Sequence, residues 1–277
     1  MMPRMLAGVV LGSALCFSCS SDTISGGTDG AGSDLAIAVV GGDAGVTITA
    51  DASGNARFLG EIKNSGTKTG CFINLSVDAL DANGDPLAGQ SSAFGFLFGE
   101  TFQYTQFYQF GPATYNHCLS AGATGSFDLR TTIPESDVAR VTVHPSCQGD
   151  EAVACLPPGN GLFLRPIPIL TLLNGVITET TDGSGHREYT GTIMNNRPLN
   201  EVTSVAKNLR IVFTAKNASG QVVDVACMNQ DGTPCTPLSS SSTVLGPQET
   251  WNFEVALSID PSQTCAGCFY YYLNYGT

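Results

Sequence analysis

The chain has 277 residues, with 24 acidic against 12 basic side chains, a net charge of −12 and only 13% of its residues charged. Acid this unrelieved repels phosphate backbones and argues against nucleic acid as a partner. Its 32 glycines, abundant Ser and Thr and frequent β-branched runs belong to an all-β chain with many turns, not to a helical one.

The amino terminus reads M-M-P-R-M, followed by an apolar run from Leu6 to Phe17 and then Ser18-Cys19-Ser20. One positive charge, a hydrophobic stretch too short to span a bilayer and a small residue before cysteine read as a secretory signal over residues 1–18. The arrangement resembles a bacterial lipobox, although Cys16 stands where that family prefers Leu. The resemblance implies that Cys19 is the lipidated first residue of the mature chain. The expected partner is then a membrane, reached through a lipid anchor, and the expected location is the bacterial cell envelope, as an outer-membrane lipoprotein of undetermined sidedness. Residues 19–33 are almost all Ser, Gly, Thr and Asp, a flexible tether of roughly 20 Å root-mean-square length.

Apart from Cys16 and Cys19, eight cysteines remain: Cys71, Cys118, Cys147, Cys155, Cys227, Cys235, Cys265 and Cys268. An even number in an exported chain reads as disulfides. Neighbour pairing is expected, because Cys147 to Cys155 and Cys227 to Cys235 each enclose a short loop with Gly-Asp or Asp-Gly inside. Cys71 to Cys118 and Cys265 to Cys268 complete the set.

After the tether, Leu35 to Val40 and Val46 to Ala50 read as strands, and the turn Asp51-Ala52-Ser53-Gly54 reverses the chain into a strand from Ala56 to Lys63. The stretch D-A-S-G-N-A-R-F-L-G-E-I-K-N from Asp51 to Asn64 returns as D-G-S-G-H-R-E-Y-T-G-T-I-M-N from Asp182 to Asn195. One pattern, D-x-S-G-x-x-x-[FY]-x-G-x-I-x-N, covers both, so the chain is read as one folding unit present twice. Phe58, Gly60 and Ile62 share a strand face by the two-residue period, as do Tyr189, Gly191 and Ile193. Ile73 to Leu80, with its turn at Asp81 to Gly84, answers to Leu209 to Lys216, with its turn at Asn217 to Gly220. Later, Leu119 and the strand from Phe127 answer to Leu245 and the strand from Phe253.

From Phe94 to Phe110 the even positions hold Phe94, Phe96, Phe98, Phe102, Tyr104, Tyr108 and Phe110, interrupted by Glu100 and Gln106. Such alternation predicts β-structure with one aromatic face. A single strand of that length would be about 55 Å long, so a bend near Gly99 is expected. A hairpin closed at Gly99-Glu100-Thr101 would set Phe98 opposite Phe102 and Phe96 opposite Tyr104.

Short strands at intervals of about ten residues suggest all-β architecture with two tandem immunoglobulin-like antiparallel β-sandwiches. The expected divisions are a first domain over 34–155 with an aromatic insertion at 88–117, a linker at 156–161 and a second domain over 162–277. The G-x-[IV]-x-N strand, the strand running into a D-x-x-G turn and the later apolar-aromatic strand resemble the bacterial FxLYD family of small sandwiches. The naming motif itself is loose, with Val77-Asp78-Ala79-Leu80-Asp81 in one copy and Phe213-Thr214-Ala215-Lys216-Asn217 in the other. The resemblance implies the fold and no catalytic residues.

Other chemistry is weakly signalled. Asp81, Asn83 and Asp85 have calcium-loop spacing, but their counterparts Asn217, Ser219 and Gln221 hold no carboxylate. Asp182, Ser184 and His186 sit within one turn, where a triad cannot converge. Cys265-Ala266-Gly267-Cys268 has redox spacing without the helix such motifs open, and His144 or His117 beside cysteines would bind zinc only if reduced. No metal, cofactor or catalytic residue is assigned. The expectation is a non-catalytic envelope lipoprotein acting as a protein-interaction or adhesive surface module. The alternative is a carbohydrate-binding module using the Phe94 to Phe110 face, since aromatic patches stack on sugars or receive partners.

Overall fold

The computed structural model describes residues 35–276 apart from 68–69, 71–72, 89–93, 99, 105–112, 120, 148–169, 203 and 236–242. The described residues form 16 strands joined by turns and short 3-10 turns, and every pairing is antiparallel. The chain is therefore all-β. The linker at 156–161, the tether and Cys19 lie outside the described residues.

In the first half, β3 (Asn55–Asn64) is central to a sheet with β1 (Ile37–Val39) and β2 (Thr47–Ala50) along one side and β8 (Thr124–Pro134) on the other. A second sheet pairs β4 (Ile73–Leu80) with β9 (Arg140–Cys147). Strand residues alternate between faces, so Phe58 and Ile62 of β3 and Phe127 and Leu129 of β8 turn toward Val77, Val141 and Val143 of β4 and β9 to form one apolar cluster. In the second half, β10 (Leu170–Thr181), β11 (Arg187–Asn195) and β15 (Thr250–Ala256) form a sheet. It faces β12 (Ala206–Lys216), flanked by β16 (Phe269–Gly276) on one side and by β13 (Val222–Asn229) and β14 (Val244–Leu245) on the other. Tyr189, Ile193, Phe253 and Val255 meet Leu209, Ile211 and Phe213 in a separate cluster, where the Tyr189 ring stacks on Phe213 at 4.7 Å between centroids.

The repeated motif performs the same local work twice. The Oδ1 atoms of Asp51 and Asp182 each accept two backbone N–H groups across their turns, from Ser53 and Asn55 and from Ser184 and His186. Such side-chain acceptance replaces bonds the turn backbone cannot make with itself. Asn64 and Asn195 are fully buried and donate to the carbonyls of Leu119 and Leu245 respectively. Phe58 pairs in register with Leu129, as Tyr189 does with Val255.

The halves diverge after their second turn. Pro86 bridges Leu80 as Val222 pairs with Lys216. The second half then continues along β12 as β13, whereas the first crosses sheets and adds β5 (Phe94–Phe98) to the outer edge of β8. This corrects the expected aromatic hairpin. Phe96 and Phe98 pair with Asp128 and Ser126, while β6 (Glu100–Tyr104) pairs with β7 (Ala113–Cys118), setting Phe102 opposite Tyr115. Alternation alone revealed strands but not their partners, because register depends on residues distant in sequence.

Candidate functional site

The outward faces of β3 and β8 are withdrawn from water at Arg57, Leu59, Glu61, Ser126 and Asp128, while Lys63, Arg130 and Thr132 at their margins stay exposed. These faces lie against the β12 sheet of the other half, so most of β3 is buried on both faces. Leu59 joins Val212, Val222, Val225 and Cys235 in an apolar patch across this seam. Around it, Ser126 and Thr214 share a hydrogen bond at 2.7 Å, Tyr272 donates to the Thr124 carbonyl at 2.5 Å, and Thr47 donates to the Val222 carbonyl at 2.5 Å.

Arg57 is the centre of the seam. Its Nε and Nη2 reach the two oxygens of Asp128 at 2.9 and 3.0 Å, its Nη1 reaches Asp224 at 2.7 Å and Ser258 Oγ at 3.4 Å, and Nη2 also donates to the Val225 carbonyl at 2.7 Å. Those contacts engage the full donor set of a guanidinium. Asp224 is completed by the backbone N–H and hydroxyl of Ser258 at 2.6 and 3.0 Å. Burial works against the charge of Arg57, but Asp128 and then Asp224 outweigh it and raise its pKa. The bidentate fork fixes orientation as well as energy. The network can hold two halves in one registration; it leaves no donor of Arg57 for a ligand.

A second ionic contact lies at the seam's rim. Glu61 accepts from Lys216 Nζ at 2.8 Å and from the Tyr270 hydroxyl, and Lys216 sits 5.1 Å from the centre of the Tyr270 ring. Burial, followed by the neighbouring Tyr272 and Glu61, raises the pKa of Tyr270. A shallow cleft of about 260 Å³ opens beside Glu61, between Gly41, Ala44 and Gly45 on one side and Ser219, Gly220 and Gln221 on the other.

The residues singled out by sequence are distributed differently. Cys227 is bonded to Cys235, and Cys265 to Cys268, each with Cα atoms 5.2 Å apart. Cys118 and Cys147 end β7 and β9, but their side chains, like Cys71 and Cys155, lie outside the described residues. Phe94, Phe96 and Phe98 belong to β5, and Phe102 and Tyr104 to β6; Tyr108 and Phe110 lie outside the described residues. Asp81 spends its Oδ1 on the N–H groups of Asn83 and Asp85, as Asn217 does on Ser219 and Gln221. Ser184 and His186 stand in the Asp182 turn, with His186 Nδ1 3.4 Å from Asp182 Oδ2.

Sequence reasoning missed Arg57, Glu61, Asp128, Asp224 and Lys216. One signal was present: Arg57 and Glu61 fall on the non-core positions of the repeated strand, where the second copy has Glu188 and Thr192. No protein-family model matches this chain, and no curated protein matches it either.

Proposed function

We propose that this protein is a non-catalytic, lipid-anchored component of the bacterial cell envelope whose two β-halves form one rigid module that presents a surface to a partner protein. The observation that carries the reading is the Arg57 seam, because a buried guanidinium bound on all sides spends its charge on joining the halves. The Cys227–Cys235 and Cys265–Cys268 disulfides suit an oxidising compartment. The duplicated Asp side chains are spent on turns and the duplicated Asn side chains on buried carbonyls, which favours a scaffold reading of residues that would otherwise invite catalytic roles. The resemblance to FxLYD sandwiches and to a lipobox is part of this proposal.

Two measurements test it. Mass spectrometry of the mature amino terminus should find Cys19 acylated, and Cys19→Ser should release the chain from membranes; an unmodified Cys19 or cleavage elsewhere overturns the anchor. The released Cys19→Ser chain should bind an envelope or surface protein without chemically changing it. Binding to polysaccharide that is abolished by Phe96→Ala and Tyr104→Ala would replace this function with the sugar-binding one.

A further inference from the structure

The outer edge of β8 is closed in the first half by β5, in the register Phe94 to Arg130, Phe96 to Asp128 and Phe98 to Ser126. The counterpart of β8 in the second half is β15, as the pairs Gly60 with Phe127 and Gly191 with Phe253 show. The segment that would cap β15 stays on β12 as β13 instead. Among the described residues β15 has a strand partner only on its β11 side.

Of the usual protections of an exposed strand, that edge carries one charge, Glu254, and beyond its end Asp224 of β13 takes the N–H of Ser258. The edge runs from Thr250 to Ala256 in unbroken register with β11, without a proline or a bulge, so its outer amides and carbonyls form a regular template. Thr250, Asn252, Glu254 and Ala256 are exposed. The charge pattern narrows the occupant further. Where the first half has Arg57 and Asp128, the second has Glu188 and Glu254. The hydrogen bond and repulsion between these two carboxyls raise the pKa of Glu254. A second copy of β15 would bring further carboxylate to the same place, whereas a Lys or Arg side chain would neutralise it.

We propose that the open edge of β15 accepts an extended basic segment of a partner protein as an additional antiparallel strand, with a Lys or Arg side chain set opposite Glu254. By the register of β5 on β8, five partner residues pair with Asn252 through Ala256. The backbone supplies affinity and the alternating side chains supply selectivity, as in other strand-addition complexes. The inference rests on the interaction-module reading and names its edge and the chemistry of its partner.

The test uses the mature chain carrying Cys19→Ser and the capped peptide Lys-Val-Lys-Val-Lys, with Glu-Val-Glu-Val-Glu as its counterpart. Amide shifts on adding the basic peptide should concentrate in Thr250 to Ala256, with at least fivefold tighter binding than the acidic peptide. Glu254→Lys should reverse that preference, and Glu254→Gln should diminish it. Antiparallel pairing bonds only alternate residues of each strand to its neighbour, so N-methylation of either the Lys amides or the Val amides, but not both sets, should abolish binding. Absence of binding, shifts elsewhere, equal tolerance of both methylated forms, or self-association through β15 would overturn the proposal. Any of these results with Cys19 acylated and the protein partner still bound would remove the β15 edge and leave the envelope function standing.

Discussion

A Cβ placed on Gly60 would stand 2.5 Å from Cζ of Phe127, and the relation is repeated where a Cβ on Gly191 would stand 2.6 Å from Cζ of Phe253. In each half the glycine leaves room on the core face of one strand for the ring of its cross-strand neighbour. Phe127 is fully buried and Phe253 nearly so, so neither ring has space to retreat into. Gly60→Ala and Gly191→Ala should each destabilise the chain by about 1–3 kcal/mol through overpacking, despite the conformational advantage of Ala in a strand. Urea unfolding should show a lower midpoint with unchanged slope; no change in either variant would mean that the rings yield without cost.

Removing Arg57 takes the cation from Asp224 and leaves Asp128 to the half-exposed Arg130 at 3.1 Å, in a seam that excludes both carboxylates from water, with side-chain exposures of 3% for Asp128 and 1% for Asp224. Arg57→Ala should therefore cost about 3–5 kcal/mol, since breaking a buried pair is worse than never having it. The triple change Arg57→Met, Asp128→Asn and Asp224→Asn should cost clearly less than the single one. Comparison of the two by equilibrium unfolding checks this. Equal losses would mean that the guanidinium contributes by its bulk and not by answering the acids.

The parts of this architecture that repeat locally were legible beforehand. Asp51 and Asp182 announce turns because a short acceptor and a following Ser-Gly satisfy the reversing backbone within a few residues. Phe58, Ile62, Tyr189 and Ile193 announce a core face by strict alternation. The seam was hidden for the opposite reason: Arg57 finds Asp224 167 residues away, and on sequence alone a charged residue on a strand's second face reads as a solvated one. The destination of the aromatic stretch was hidden similarly, since Phe96 finds its partner at Asp128 across a sheet edge.

Asp182 is held below the usual carboxylate range chiefly by the N–H of His186, and Asp81 by that of Asp85. At Asp51 burial opposes the shift, and the N–H groups of Asn55 and Ser53 overcome it. A carboxyl depressed on folding stabilises the protein above its unfolded pKa of about 3.9, and that contribution disappears as pH falls through the folded value. Stability should accordingly decline below about pH 4. Asn217 occupies the place of Asp81 without a titrating group, so Asp81→Asn and Asp182→Asn should preserve the turns near neutrality and flatten the acid decline. Unfolding midpoints measured from pH 6 to pH 2 decide it; slopes identical to the parent's would exclude these turns as its source.

Tyr189 responds at the other end of the scale. Burial, with Glu179 adding to it and Arg187 opposing, pushes its hydroxyl up to about 12, against about 10 in an unfolded chain. The neutral form is thus the one the core accepts: its contribution is complete below pH 10 and is lost as pH rises through about 12. The first half has Phe58 at the corresponding position and buries it completely. Tyr189→Phe should therefore fold normally, differ from the parent by no more than about 1 kcal/mol at neutral pH, and lose stability less steeply between pH 10 and pH 12. Phenolate absorbance, taken as the difference between the parent and Tyr189→Phe, checks it: the Tyr189 phenol should ionise near pH 12 while the chain is still folded, and ionisation near pH 10 in the intact protein would show that the ring is reached by water after all.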